Sequence, residues 1–393
     1  MTAFFDRAWP FWPALPIYPF DQRPTLRREA IADTLWTFDQ FQGIFYVVVP
    51  VRMSVIRLER GGLLVYAPIA PTAECVRLVR ELEARYGEVK YIILPTASGL
   101  EHKVFVGPFA RRFPNAHVFV VQGQWSYPAN LPLSWLGFPS KRTHVLPADS
   151  RDAPFADEFD YACLGPIQLG LGPFAEVAFY HRRSRALFTT DTILSLPADP
   201  PPVLNQHPYP LLFHARSDVR EAIVDTPDNR RRGWQRMSLF AFYFQPGALE
   251  IVPLGRALRE SVHSSDRSKK GYFGLFPFRW VGDDWQRSFQ KLHDGGRLFV
   301  APILQKLILN RAPNATRAWV GRVTAWEFEQ IVPCHLTAPV AATPDQFRAA
   351  FAFLDAESAP GTERHPLPAE DFAFLDDLNE RLVAAGIAPP PLR

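Results

Sequence analysis

At 393 residues, with 47% hydrophobic and 21% charged residues, the chain is long and apolar enough for one large domain or two ordinary ones, which argues against whole-chain disorder. Its formal net charge is only +3, without the basic stripe of a nucleic-acid binder, so no nucleic acid is expected as a ligand. Three cysteines (Cys75, Cys163, Cys334) without paired spacing argue against a disulfide framework and fit a reducing compartment.

Asp6 and Arg7 precede alternating Trp, Phe and Pro, so no continuous apolar signal segment opens the chain. No uncharged apolar run reaches the roughly 18 residues of a spanning helix. The nearest, 237–254, contains Pro246, Gly247 and Glu250. A cytoplasmic protein is expected, with at most a peripheral membrane contact. Proline, at 39 residues, is concentrated in 10–24, in 197–210 and in the C-terminal tail. Residues 1–29 accordingly read as a Pro/aromatic-rich arm.

Residues 30–70 read as successive strands, among them 45–49 and 53–58, with Gly61-Gly62 turning into 63–66. Thr72 caps a predicted helix over 73–86 that Gly87 stops. A buried strand over 91–94, a helix over 104–113 and a strand over 116–121 follow, a rhythm that favours a layered α/β sheet. Strand character returns over 175–190, with a tight turn at Arg182-Arg183-Ser184. Beyond Asp191 the pattern degrades into a Pro-, Arg- and aromatic-rich insertion over about 195–300. A helix over 315–328 leads to a strand at Ile331-Val332, closing a main domain over 30–345. Thr343-Pro344-Asp345 starts a helix to about Leu354, and an amphipathic helix over 368–385 completes a C-terminal helical extension, 346–393.

Three loops that follow apolar strands stand out. They end at Glu101-His102, at Asp191 and at His335, and carboxylates and imidazoles are the side chains that hold borderline divalent metals. Each has an ordinary explanation too. Glu101 and His102 open a helix, where a carboxylate suits the dipole; Asp191 lies among turn-forming threonines; His335 reads as a satisfied core histidine. The other histidines lack ligand spacing. No Gly-x-Ser-x-Gly elbow, phosphate-cradling Gly-rich loop or zinc-ribbon cysteine pair is present.

The run Ala97-Ser98-Gly99-Leu100-Glu101-His102 is similar to the His-x-His-x-Asp-His motif of the metallo-β-lactamase superfamily. Thr190-Asp191-Thr192 is similar to its Gly-Asp-Thr turn, and Pro333-Cys334-His335 to its Pro-Gly-His. On these pieces the chain resembles a divergent member of that superfamily, close to an uncharacterised family (a domain of unknown function) of photosynthetic bacteria and plastid-bearing lineages. The resemblance covers roughly residues 30–340 and implies a four-layer αββα sandwich. Ala97 and Gly99 replace two first-metal histidines, and the middle histidine, due near Gly172, is missing. The second-metal ligands keep counterparts in Glu101, His102, Asp191 and His335. The resemblance therefore implies one divalent ion (Zn, Mn or Fe), or none.

Two functions stay open. One is a mononuclear metal-dependent hydrolase for an ester, thioester, amide or phosphoester, with no nameable general base. The other is a non-catalytic scaffold that has lost the two-metal site and binds a partner or a membrane. Whether the chain is an enzyme, and whether its partner is a small molecule or a protein, stays open with them. Arg230-Arg231-Arg232, Trp234 and Arg236 suggest a peripheral membrane contact through 230–280, or a solvated basic turn. Alternatively, 240–244 or 272–278 forms a lid over Glu101 and Asp191 that favours an apolar or amphiphilic ligand.

Overall fold

The computed structural model describes residues 6–11, 17–98, 100–126, 129–170, 172–355 and 367–392. Strands β1 (Leu26–Ile31), β2 (Leu35–Ile44) and β3 (Val47–Arg57) form an antiparallel meander that β4 (Leu63–Tyr66) continues. Helix α1 (Ala73–Tyr86) then crosses over, so β5 (Val89–Leu94) runs parallel to β4. The Thr72 side chain accepts from Cys75 N at its start, and Gly87, at φ 98, ends it. Helix α2 (Leu100–Arg112) leads to β6 (His117–Val120), and β7 (Thr143–Val145) completes a seven-stranded mixed sheet in sequential order.

The second sheet opens with β8 (Phe159–Gln168), β9 (Pro173–His181) and β10 (Ala186–Thr189). The insertion follows, with α3 (Tyr209–Ala215), α4 (Pro227–Tyr243), α5 (Leu254–Glu260) and α6 (Asp284–His293). It also holds two small pairings, β11 (Leu194–Ser195) with β14 (Leu298–Phe299) and β12 (Leu249–Ile251) with β13 (Phe278–Trp280). Helices α7 (Pro302–Leu307) and α8 (Pro313–Val323) return the chain to β15 (Gln330–Pro333) and β16 (Val340–Ala341). The order is β16-β15-β10-β9-β8, and only β10 and β15 are parallel neighbours.

Strand alternation builds the layers. Ile56, Leu64, Ile93 and Phe119 face Phe179, Phe188 and Val332 between the sheets. Their strand neighbours Val55, Val65, Ile92 and Val118 face Val79 and Leu82 of α1 and Val106 and Phe109 of α2. On the far side, Ala162, Ala178, Leu187 and Ile331 pack with Trp319 and Val320 of α8. The result is the expected αββα sandwich. Helix α9 (Pro344–Ala349) carries a capping box between Thr343 and Gln346, and α10 (Ala369–Ala384) lays Phe372 edge-on against Tyr243 of α4. No helix among the described residues is long and apolar enough to cross a membrane.

Four boundaries differ from expectation, one being the helix expected to reach about Leu354, which ends at Ala349 before a separate 3-10 turn at Ala352–Leu354. Phe45 and Tyr46 are not strand residues but a two-residue hairpin turn with φ 49 and 61, and β3 runs unbroken through Pro50. The tight turn selects positive φ at both positions and overrides their strand propensity. The helix expected at 104–113 starts at Leu100, which places Glu101 in its first turn. The helix expected over 315–328 ends at Val323, and Phe328 is a buried core residue of the connection to β15. Gly99 and the segment 356–366 of the C-terminal extension lie outside the described residues.

Candidate metal centre

All three loops singled out in the sequence end at one edge of the sandwich. Strands β10 and β15 are parallel, with Thr189 opposite Pro333, so their C-terminal ends emerge side by side. Cys334 N donates to Thr189 O (3.0 Å), which holds the two turns together. After β5 the chain crosses to the second sheet: Val177 N donates to Pro95 O (2.9 Å) and Ala97 N to Ala175 O (3.3 Å). Lys103 Nζ reaches back to Ala97 O (2.9 Å) and Trp125 O (2.6 Å), fixing the start of α2 beside the other two turns.

His335 Nε2 lies 3.0 Å from Glu101 Oε2 and 3.0 Å from Asp191 Oδ1. One ligand atom from each of the three residues falls within 4.8 Å of the others, a set that can hold a metal ion. His335 Nδ1 sits 2.8 Å from Pro50 O, and because a carbonyl only accepts, Nδ1 carries the proton. The Nε2 edge is thereby turned to the carboxylates, the orientation that outer partners impose on ligating histidines. His102 is not in the triad: its ring centre is 6.3 Å from that of His335. It repeats the pattern, however, with Nδ1 3.2 Å from Pro68 O and a buried Nε2 without a hydrogen-bond partner among the described residues.

Electrostatics follow from this packing. Burial opposes charge on His335, but Glu101 and Asp191 together raise its pKa well above the usual imidazole range. Burial works to raise Glu101, and the His335 charge and hydrogen bond overcome it, lowering the carboxyl to about 2. His102 is lowered by burial and then by His335, so its ring stays neutral with a lone pair on Nε2. The Cys334 thiol is pushed up by burial and by Asp191 and stays protonated.

Several supporting residues were not legible in sequence. Glu176 of β9 is fully buried and accepts from Thr190 N (2.8 Å), Asp191 N (2.9 Å), Thr192 N (3.0 Å) and Thr192 Oγ1 (2.8 Å), so one carboxylate shapes the whole Asp191 turn. Arg52 of β3 pairs with Asp39 (2.7 Å) and donates to Pro333 O and Leu336 O (2.8 Å each), gripping the His335 loop from both sides. Gln42 of β2 hydrogen-bonds Glu101. The only sequence signal for these groups was a polar residue at an otherwise apolar strand position.

The lid and basic-run expectations are corrected. Phe242, Tyr243, Phe276 and Phe278 are buried core residues, and Phe240 packs on Phe278 and His214. The Glu101 and Asp191 side chains remain 37% and 35% exposed, so they are not sealed from solvent. Trp234 is buried, with Nε1 donating to Pro197 O. Arg230, Arg231 and Arg232 are paired with Asp225, Asp199 and Glu221, and Arg236 is buried over Trp280 and Trp285. Charge pairing and burial remove the basic-aromatic membrane face imagined for 230–236.

No curated protein sequence matches the chain. Solved structures with a similar course include the metal-soaked Flv1 flavodiiron core of Synechocystis sp. PCC6803, at 12% identity and TM-score 0.42. That match covers 86% of this chain but only 62% of the flavodiiron chain. A putative diflavin flavoprotein fragment from Nostoc sp. PCC 7120 matches at 12% identity and TM-score 0.42, covering 86% and 98% of the two chains. The DIM-1 metallo-β-lactamase matches at 9% identity and TM-score 0.40, covering 86% and 100%. The sequence profile described as Domain of unknown function (DUF4336) matches residues 32–353, from the end of β1 to the turn beyond α9, and the chain belongs to that family.

Proposed function

We propose that the protein is a mononuclear metal-dependent hydrolase, with Glu101, Asp191 and His335 as protein ligands and His102 beside the set. One observation carries this reading: with its Nδ1 proton committed to Pro50 O, His335 Nε2 faces two carboxylate oxygens at 3.0 Å. Three acceptor atoms so close need a cation or a shared proton between them. Two carboxylate oxygens with one imidazole nitrogen suit Zn, Mn or Fe(II), and the buried, orphaned Nε2 of the neutral His102 lies next to that set. A divalent ion there would supply Lewis acidity toward a carbonyl or phosphoryl oxygen.

The chain's own residues set the rest. Pro50 O and Pro68 O orient the two rings, Gln42 holds the Glu101 carboxylate, and Glu176 holds the backbone of Asp191. The exposed third of each acidic side chain gives an ester, thioester, amide or phosphoester access from solvent. In the ion-free state the His335 ring carries a proton between the carboxylates.

The same geometry favours a second reading, in which that protonated ring is a permanent clamp in a non-catalytic scaffold. Elemental analysis of the protein after exposure to Zn, Mn and Fe separates the two. About one ion per chain, lost in the Asp191→Ala His335→Ala double variant and held about 10–100-fold more weakly by His102→Ala, supports the metal centre. A folded protein that stays metal-free leaves only the scaffold. Hydrolysis of a model ester or phosphoester by the loaded protein, abolished by chelation, then tests the reaction.

A further inference from the structure

The membrane reading of 230–280 loses its basic run, yet another part of the insertion presents an apolar face left exposed among the described residues. Leu254, Leu258 and Val262 follow one another at helical spacing along α5 and the turn after it, and each is more than half exposed. Phe273 is 69% exposed. Gly274 lies against Ser261 and Ser264, which brings the Phe273 turn beside Val262. On the other flank, Phe45 contacts Tyr272 (5.7 Å between ring centres), so the exposed Ile44-Phe45 tip of the β2–β3 hairpin joins the same surface.

Backbone conformation shows that these side chains are held outward. Phe45 and Phe273 have φ of 49 and 57, the left-handed region that bulky residues enter only where surrounding structure imposes it. Here it does. Phe273 N donates to Ser268 O (2.9 Å), Tyr46 Oη donates to Lys270 O (2.8 Å), and His214 Nε2 donates to Phe45 O (3.1 Å). Both turns are anchored through their backbones, leaving their apolar side chains in water.

Charge decides the occupant. Residues 251–281 hold six Lys/Arg and two Asp/Glu, a net +4 in a chain that totals +3. Among the described residues, no carboxylate pairs with Arg259, Arg267, Lys269 or Lys270. An apolar tip next in sequence to cations that no described carboxylate neutralises matches the boundary between acyl chains and anionic headgroups. We propose that this face docks the protein on an anionic lipid bilayer. Ile44 shares a strand face with Gln42, two residues and about 7 Å away, and Gln42 holds Glu101, so docking would bring the candidate centre near the headgroup layer.

Sedimentation of the full chain with phosphatidylglycerol/phosphatidylcholine vesicles, against phosphatidylcholine alone and with chelator present, tests the docking independently of any metal. The protein should pellet with the anionic vesicles and less so at high salt. Arg267→Glu Lys269→Glu should weaken binding more than about tenfold, given the attraction each cation contributes at such a surface. Leu258→Gln Phe273→Asn should weaken it as well, with an unchanged thermal melt, since Asn tolerates the left-handed conformation. Wild type left in the supernatant, or both double variants pelleting like wild type, overturns the proposal. So does a dimer, seen by sedimentation velocity and dispersed by Phe273→Asn, without vesicle binding.

Discussion

Arg52 is where stability and the candidate centre meet, and replacing it tests both. Its guanidinium is buried, with Nε 2.7 Å from Asp39 Oδ1 and its two amino groups on Pro333 O and Leu336 O. Among the described residues, Arg52→Ala leaves Asp39 paired with Arg28 (2.8 Å), whose side chain is 40% exposed, and removes the Arg52 donors from the two carbonyls. Breaking a buried pair on one side costs about 3–5 kcal/mol. For a 393-residue chain that is a melting shift of about 5 °C. Because the two carbonyls bracket His335, the variant should also bind metal about 10–100-fold more weakly. Arg52→Lys keeps the charge but not the three-way fork, and should fall between. Urea unfolding followed by circular dichroism, paired with metal titration, reads both effects. A loss below about 1 kcal/mol would refute the argument that this buried pair braces the loop.

Glu176→Ala removes the acceptor of three backbone N–H groups and one hydroxyl, and should cost at least about 3 kcal/mol in urea unfolding, with Glu176→Gln costing less. The metal-free protein should depend on pH through the His335 clamp. His335 is raised, so its contribution is full below its ordinary value of 6.5 and fades as pH climbs through the raised one. Glu101 is lowered from 4.5 to about 2, so its contribution is full above 4.5 and fades toward pH 2. Stability measured against pH in chelator should lose its alkaline decline in His335→Gln; an unchanged profile counts against the clamp. Gly233→Ala would put a Cβ 1.7 Å from Leu211 O where α4 crosses α3, so it should unfold the insertion or abolish soluble expression, as a thermal melt or a solubility assay would show.

Local chemistry made much of this protein legible. Thr72 and Gly87 bound α1 because a cap hydroxyl and a glycine at positive φ satisfy or permit helix ends wherever they occur. The strands that lead to Glu101, Asp191 and His335 were equally readable, since short apolar β-branched runs before turn residues are local signals. Long-range packing decided the rest. That Arg52 would grip carbonyls 281 and 284 residues away, or that Trp234 would turn inward to Pro197 O, has no trace in neighbouring residues. Arg230–Arg232 look like a free basic patch until the fold brings Asp225, Asp199 and Glu221 to them. Phe45 and Tyr46 carry strand propensity, yet the register that pairs Ile44 with Val47 leaves them only a turn. Sequence fixes propensity and donor chemistry residue by residue; which donors meet, which charges are neutralised and which rings stay in water depends on contacts between distant segments, and so belongs to the tertiary structure alone.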